Sequence, residues 1–205
     1  MPASATQALG LRDEVAALKR ARTVAAAVDL FYENGYENTT LETIGQSLGV
    51  TKPFIYAHFR SKVELLADIC SRGIATSQEA MDSVLTLDLT PTEKLILLSE
   101  RFIAGVLENR KHIAIFSREE KNLMPADFDR INGMRRDFDR KLTGLLRAGI
   151  DAGEFGIDDP HVAALSIGGM VSWAYVWYRA TGRLAPDKLV AEMKELILNM
   201  VRVKR

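Results

Sequence analysis

Several features that would narrow the class of this 205-residue chain are scarce or missing. It has a single cysteine, Cys70, which excludes an intramolecular disulfide and fits the reducing cytoplasm. Its 27 basic and 27 acidic residues leave no net charge, so the composition gives no overall basic signal for nucleic acid. No apolar run reaches membrane-spanning length, and the N-terminus has no signal-peptide pattern. We therefore expect a cytoplasmic protein of one to two domains.

The sequence also lacks the patterns of strands and of enzymes. It has no period-two alternation, no tandem repeat of domain size, no Ser-His-Asp arrangement and no glycine loop that could cradle phosphates. Neither His112 nor His161 has a second ligand at metal-binding spacing. We therefore expect an all-α protein that is not an enzyme and that has no catalytic residues, no metal and no cofactor.

One local duplication allows two interpretations. The sequence DFDR occurs at 127–130 and again at 137–140, and its four aspartates could supply oxygen ligands to a cation. The neighbouring apolar residues recur every three or four positions, as on one face of a helix. They are Phe128, Ile131, Met134, Phe138, Leu142 and Leu145. This spacing favours an apolar stripe flanked by solvated aspartates over a metal site.

The segment TTLETIGQSLGVTKPFIYAHFRSK, residues 39–62, is typical of two short helices joined by a tight turn. Its apolar residues are spaced to close a small core: Ile44, Leu48, Val50, Ile55 and Phe59. The remaining hydroxyl, aromatic and basic side chains are of the kinds that contact DNA phosphates and base edges. They are Thr40, Thr43, Thr51, Lys52, Phe54, Tyr56, His58 and Lys62. The segment therefore predicts a helix-turn-helix whose second helix lies in the major groove.

Local signals place the ends of these two helices. Thr39 and Glu42 have the spacing of a capping box, which would leave the Thr40 hydroxyl pointing outward. Gly49 is expected to adopt the left-handed conformation that ends the first helix. Thr51 is expected to cap the second helix. Residues 1–62 hold seven basic and six acidic residues, so DNA binding must depend on where the charges lie.

The run TVAAAVDLFYENGYENTTLETIGQSLGVTKPFIYAHFRSKVELLADI resembles the N-terminal domain of the TetR/AcrR family of transcriptional regulators. Several motifs occur in the order and spacing of that family, over about residues 20–70. The sequence departs from the family where Gly45 and Ser47 replace the usual alanines. The resemblance implies a repressor that binds a palindromic DNA operator as a homodimer.

The helical periodicity predicts about nine helices in two domains, as in a TetR-like fold. We expect a disordered lead-in over residues 1–10, a three-helix DNA-binding domain over 11–62, and a ligand-binding and dimerisation domain over 63–205. The predicted helices span about 12–34, 41–48, 52–58, 61–85, 91–109, 111–121, 125–152, 160–181 and 186–202. Thr90 and Asp158 or Asp159 are candidate caps, and Gly182 is the expected end of the eighth helix.

The family resemblance also implies that the last two long helices form the dimer interface. The helix predicted over 160–181 is apolar on most faces, which requires burial on both sides. The paired Gly168 and Gly169 would allow another helix to approach closely. The interface stripe predicted for the last helix comprises Leu189, Met193, Leu196, Ile197 and Met200.

The segment WAYVWYRATGRLAPDKLVAEM resembles regulators of CoA-linked lipid, sterol and aromatic catabolism within this family, with Ala180 in place of a usual proline. This resemblance implies a small hydrophobic effector, an acyl-CoA thioester, that releases the repressor from DNA. Candidate ligand-binding residues are Phe102, His112, Phe116, Met124, Phe128, Met134, Phe138, Trp173 and Trp177. Cations that could pair with CoA phosphates are Arg118, Lys121, Arg135 and Arg136.

Two alternatives remain open at the level of sequence. The effector could be an amphipathic drug or aromatic compound, as in efflux-pump regulators of the family. The chain could instead be a TetR-fold module that binds a protein and no DNA. Lys52, Tyr56 and Lys62 argue against that second alternative, because they retain the DNA-binding residue types.

Overall fold

A computed structural model describes residues 3–203, with the side chains of α1 described from Asp13 onward. Ten α-helices, a 3-10 turn at Glu120–Asn122 and one isolated bridge between Phe155 and Arg202 make up its secondary structure. The helices are α1 Ala3–Asn34, α2 Leu41–Ser47, α3 Lys52–Tyr56, α4 Lys62–Leu85, α5 Pro91–Glu108, α6 Arg110–Glu119, α7 Pro125–Asp151, α8 Pro160–Ser172, α9 Ala174–Trp177 and α10 Pro186–Val201. The all-α prediction is confirmed. None of these described helices is long and apolar enough to cross a membrane.

The first helix starts earlier than the sequence predicts. Residues 3–10 are helical in the structure, whereas a disordered lead-in is predicted over residues 1–10; residues 1 and 2 lie outside the described part. The sequence ASATQALG is rich in alanine and has no proline, so its helix propensity is high enough to extend α1.

The two threonines before α2 exchange the roles predicted for them. Thr40 is the N-cap, and its side chain accepts a hydrogen bond from the backbone N–H of Thr43 at 3.0 Å. Thr39 is buried and donates to the carbonyl of Gly35 at 2.9 Å, which fixes the loop after α1. The capping box predicted for Thr39 and Glu42 is therefore wrong, because the Thr39 hydroxyl is held by the preceding loop.

Other predicted helix ends agree with the structure. Gly49 has φ +66°, the left-handed conformation predicted for the end of α2. Thr51 occupies the N-cap position of α3, although its side chain forms no capping hydrogen bond there. Thr90 and Glu93 form a reciprocal capping box at the start of α5, and Asp159 caps α8.

The helices pack into two hydrophobic cores. The N-terminal core joins α1–α3 to the first half of α4 and includes Phe31, Ile44, Ile55 and Phe59. The C-terminal core joins the second half of α4 to α5, α7, α8 and α10. Side chains of α6 and α7, such as Ile115, also enter the N-terminal core. Helices α4 and α6 therefore connect the two cores mechanically.

The helix predicted over 160–181 is interrupted at Trp173 and ends at Trp177. Tyr178 has an extended backbone and a buried side chain that packs into the C-terminal core. Gly182 therefore does not end the helix, because the chain leaves the helical path to turn this aromatic ring inward.

The stripe predicted as an interface on the last helix is divided between two roles. Leu189, Met193 and Ile197 are buried within the C-terminal core of the same chain. Leu196 and Met200 are exposed, at 56% and 37%. The prediction that all five residues face a partner is wrong for the three buried ones, because α5 and α8 already pack against that side of α10.

The repeated DFDR segments carry ion pairs. Asp127 pairs with Arg130 at 3.1 Å, and Asp137 pairs with Lys141 at 2.8 Å and with Arg140. No group of three metal-ligating side chains occurs among the described residues. The apolar stripe follows the prediction except at Phe128, which is exposed.

Candidate nucleic-acid interface and effector cavity

The outward face of α3 carries the most accessible of the predicted DNA-contacting residues. Tyr56 is 42% exposed, and the Lys52 ammonium lies 5.4 Å from the centroid of its ring. The same ammonium is 2.5 Å from a carboxylate oxygen of Glu42 on α2. The hydrogen bond to Glu42 raises the pKa of Lys52, so this lysine remains a cation. The ion pair also holds the lysine at the surface shared by α2 and α3.

Phe54 and His58 are half-buried on a neighbouring side of the turn. Their rings meet edge to face, with centroids 5.6 Å apart. The ammonium of Lys19, on α1, lies 5.6 Å from the centroid of Phe54. Sequence analysis missed Lys19 as part of this surface; its only signal was a local group of basic residues with Arg20 and Arg22.

Lys62 begins α4 and is held more firmly than a free surface lysine. Its ammonium donates to the carbonyl of Tyr36 at 2.9 Å and lies 4.1 Å from the centroid of the Tyr36 ring. An ammonium has three N–H donors, so two remain for a phosphate. The position of this charge is therefore fixed relative to the loop between α1 and α2.

The predicted threonines flank the same surface. The hydroxyls of Thr40 and Thr43 are 2.9 Å apart at the start of α2, and Thr51 is exposed before α3. All eight predicted residues lie at the starts of α2 and α4, before or within α3, or in the turn after α3, and none is buried. The predicted residues therefore lie close together in the chain around the helix-turn-helix, and their contact with DNA stays a prediction.

A cavity of about 300 Å³ lies where α4, α5, α7 and α8 meet in the C-terminal core. Phe102 and Phe138 line it, and their ring centroids are 4.8 Å apart. Other apolar wall residues are Ile74, Val106, Ile113 and Leu165. This volume is at the lower end of the range for small-molecule pockets.

A few polar groups also line this cavity, including Ser77, Arg135 and Asp139. Burial raises the pKa of the Asp139 carboxyl. The Arg135 guanidinium lies 4.2 Å from the centroid of the Phe116 ring, at the edge of the N-terminal core. An apolar chamber with these groups at its wall can hold a hydrophobic ligand and orient a polar end.

The structure separates the other predicted ligand-binding residues from this cavity. Phe116 is buried in the N-terminal core, and the carbonyl of Met134 accepts a hydrogen bond from Gln78. His112 lines a different cleft. The remaining predicted residues are exposed: Met124, Phe128, Trp173 and Trp177. Only Phe102 and Phe138 of the predicted set line the cavity.

Small residues on α4 and α8 were missed as cavity walls. Gly73 and Ser77 of α4 line the cavity together with Gly168 and Gly169 of α8. A Cβ added to Gly169 would meet no described atom within 4 Å. Gly169 therefore borders open space, whereas an added Cβ at Gly168 would lie 3.8 Å from a carboxylate oxygen of Asp139 on α7, which packs against α8.

Helix α6 contacts both the cavity and α1, which belongs with α2 and α3 to the DNA-binding unit. Ile113 of α6 lines the cavity, and Lys111, two residues before it, forms an ion pair with Asp29 of α1 at 2.5 Å. Arg118 of α6 donates to the carbonyl of Tyr32 at 3.4 Å, and its guanidinium lies 5.2 Å from the Tyr32 ring centroid. A displacement of α6 would therefore be transmitted directly to α1.

Comparisons with known proteins agree with this architecture. Residues 24–69 match the family model described as bacterial regulatory proteins of the tetR family, and residues 88–201 match the tetracyclin repressor-like C-terminal domain. The transcriptional repressor KstR2 of Rhodococcus jostii is 23% identical over 183 residues, covering 88% of this chain and 90% of the relative.

Two solved structures extend the comparison over most of the chain. A TetR-family regulatory protein from Rhodococcus RHA1 has a TM-score of 0.81 at 27% identity, covering 91% of this chain and 98% of that one. AibR, solved with isovaleryl coenzyme A and operator DNA, has a TM-score of 0.75 at 24% identity, covering 91% and 100%. Because the family models match both the helix-turn-helix and the C-terminal domain, the chain belongs to the TetR family of transcriptional regulators.

Proposed function

We propose that this protein is a dimeric repressor that binds a palindromic operator through α3 and is released by an acyl-CoA thioester. The observation that carries the proposal is the exposed α3 face with Lys52 and Tyr56, connected through α4 and α6 to a largely apolar cavity. In this proposal α3 lies in the major groove, and the threonines at the start of α2 contact the flanking backbone.

The proposed DNA contacts can be tested by the salt dependence of operator binding. Lys52→Ala should lower the slope of log affinity against log salt by about one, because one phosphate contact is lost. Lys188→Ala is a matched control, since Lys188 is an exposed lysine at the start of α10. Tyr56→Phe should weaken operator binding with little change in sequence preference if its hydroxyl contacts phosphate. An unchanged slope in Lys52→Ala, with altered base preference, would show that Lys52 contacts bases instead.

A second copy of the chain is the proposed partner of α8 and α10. Val162 and Leu165 of α8 are 56% and 47% exposed, and α10 adds exposed Leu196 and Met200. The two helices pack against each other, so these apolar side chains belong to one helical layer. A two-fold dimer built on this layer would place two α3 helices on successive major grooves, about 34–36 Å apart.

The acyl-CoA proposal rests on the relatives and on the cavity. AibR was solved with an acyl-CoA and operator DNA. A regulator of fatty acid metabolism from Bacillus subtilis is 27% identical to this chain over 143 residues. In this protein Phe102 and Phe138 would contact the acyl group, while CoA, which is too large for about 300 Å³, would extend outward past Arg135. The partly buried Asp139 carboxylate disfavours a second buried carboxylate, which favours an uncharged thioester over a free acid.

A melting screen would test the effector. Acyl-CoAs of increasing acyl size, their free acids and free CoA are compared on the intact dimer. Acyl-CoAs should stabilise the folded state, by about 2.7 kcal/mol at a hundredfold excess over the dissociation constant, and free CoA should not. Stabilisation by free acids or cationic drugs, with none by any acyl-CoA, would replace this proposal with an efflux-type effector. Gel shifts with the stabilising compounds then test release from the operator.

A further inference from the structure

Two residues that line one cleft outside the effector cavity, His112 and Tyr178, each carry a buried polar atom without a hydrogen-bond partner. Within the described residues, neither Nδ1 of His112 nor the hydroxyl of Tyr178 has a partner. Tyr178 is only 6% exposed, so its unpaired hydroxyl lies well inside the protein. Unpaired buried polar groups are rare, because each loses its hydration without replacement. Two of them at one cleft indicate a site that something polar can occupy.

The cleft has a volume of about 530 Å³ and apolar walls from several helices. Val28 belongs to α1, Leu107 to α5 and Val190 to α10. It shares no lining residue with the effector cavity. His112 and Ile113 are adjacent on α6 and line different spaces, so α6 separates the two.

Free acidic groups outnumber free basic groups around the cleft. Glu108 and Asp187 are acidic, Arg110 and Lys111 are basic, and Lys111 is already paired with Asp29. Burial and then the charge of Arg72 lower the pKa of His112, so its imidazole is neutral at pH 7. An anionic ligand would therefore find little free counter-charge here, whereas an uncharged one would lose little on leaving water.

A hydroxyl group suits the two unpaired atoms because it can both donate and accept a hydrogen bond. A neutral imidazole nitrogen and a phenolic hydroxyl offer complementary roles for such a group. We propose that this cleft is a second ligand site, specific for a compact, uncharged molecule that carries a hydroxyl group on an apolar ring. Because its walls include α1, α6 and α10, the ligand would stabilise the packing of the DNA-binding unit on the C-terminal core.

A matched pair of probes tests the site on the full-length protein. The ligand 4-ethylphenol differs from ethylbenzene only by its hydroxyl, and 4-ethylbenzoate replaces that hydroxyl with a charge. Binding is measured by ligand-observed NMR and by thermal shift. We expect 4-ethylphenol to bind at least on the order of tenfold more tightly than either of the others, the ratio that one buried hydrogen bond provides.

Tyr178→Phe keeps the ring and removes the hydroxyl, so it should weaken 4-ethylphenol binding on the order of tenfold. Tyr175→Phe is the control, because the Tyr175 hydroxyl bonds Ser117 outside the cleft at 2.9 Å. Gly168→Leu would extend toward Asp139 at the wall of the effector cavity, since an added Cβ lies 3.8 Å from the Asp139 carboxylate oxygen, and it should leave 4-ethylphenol binding unchanged. This last variant separates the second site from the effector proposal.

Three outcomes would overturn the inference. One is no binding of 4-ethylphenol at millimolar concentration, and another is equal binding by wild type and Tyr178→Phe. The third is a loss of ligand-free stability in Tyr178→Phe without any probe binding, which would show that water alone occupies the cleft. Retained binding in Gly168→Leu with loss in Tyr178→Phe would support it.

Discussion

Gly45 lies in the middle of α2, where the TetR family usually has alanine. A Cβ at this position would meet the Val50 carbonyl oxygen at 3.4 Å and a side-chain carbon of Ile55 at 3.5 Å, both ordinary contact distances. Gly45→Ala should therefore stabilise the protein by about 0.5–1 kcal/mol, because alanine loses less conformational freedom in a helix. Urea unfolding measures the change.

Gly49→Ala is the contrasting variant for that experiment. Gly49 has φ +66°, where an L side chain is strained, so the same substitution should destabilise the protein by roughly 1 kcal/mol. Destabilisation by Gly45→Ala as well would mean that α2 and α3 cannot tolerate the added methyl group. The loss of stability at Gly45 would then come from packing, whereas the loss at Gly49 comes from backbone conformation.

Burial of His112 predicts that the protein becomes less stable in acid. Its folded-state pKa is lowered by burial, so below the unfolded pKa of about 6.5 the unfolded chain binds the extra proton first. The free energy of unfolding should therefore fall as pH decreases from 7 through 6 to 5. His112→Gln should flatten this dependence, whereas His161→Gln, at an exposed histidine, should leave it unchanged. Urea unfolding at pH 7.5 and 5.0 would contradict the prediction if wild type and His112→Gln lost equal stability.

Single residues show where sequence reasoning holds and where it fails. Gly49 and Thr90 were predicted correctly because turn conformation and a capping box depend on a few consecutive residues. Thr39 and Thr40 were exchanged because both can cap a helix. The choice depends on the Gly35 carbonyl, which holds Thr39 from the other side of the loop.

At the scale of helices, adjacent positions of α10 separate the core from the exposed surface. Leu196 is 56% exposed and Ile197 is fully buried. Leu196→Asp should dissociate the proposed dimer into folded monomers, since it places a charge in an apolar interface. Ile197→Asp should unfold the chain, because it buries that charge in the C-terminal core.

Sedimentation and circular dichroism together measure these two effects. A Leu196→Asp protein that remains dimeric with native helicity would exclude this face of α10 from the interface. A wild-type protein that sediments as a monomer at micromolar concentration would remove the dimer and, with it, the palindrome.

The same helix shows why the interface stripe was only partly predictable. Apolar periodicity locates a helix reliably, but α8 and α10 are apolar on more than one side. Which side meets α5 and which side is exposed depends on tertiary packing. Cavity residues are harder still: Gly73, Ile74 and Gly169 come from two helices far apart in sequence, and no local pattern marks the space between them.

In the molecule as a whole, release of the operator by an effector requires a continuous set of helix contacts between the cavity and the DNA-binding surface. The cavity wall includes Ile74 of α4 and Ile113 of α6, and both helices also contribute to the N-terminal core. The effector can change DNA affinity only through different affinities for two arrangements of these helices. By linkage, the factor by which effector weakens operator binding must equal the factor by which operator weakens effector binding.

The ion pair between Lys111 and Asp29 is the most direct polar connection in that path, because it joins α6 to α1. Lys111→Ala should reduce the coupling factor by up to about fivefold, since a partly exposed pair contributes roughly 0.2–1 kcal/mol. Lys194→Ala is the control, because Lys194 pairs with Glu100 between α10 and α5, away from the DNA-binding unit. Operator affinity is measured with and without saturating effector for all three proteins. Equal coupling in Lys111→Ala and wild type would assign the transmission to α4 and to the remaining contacts of α6, such as that of Arg118 with Tyr32.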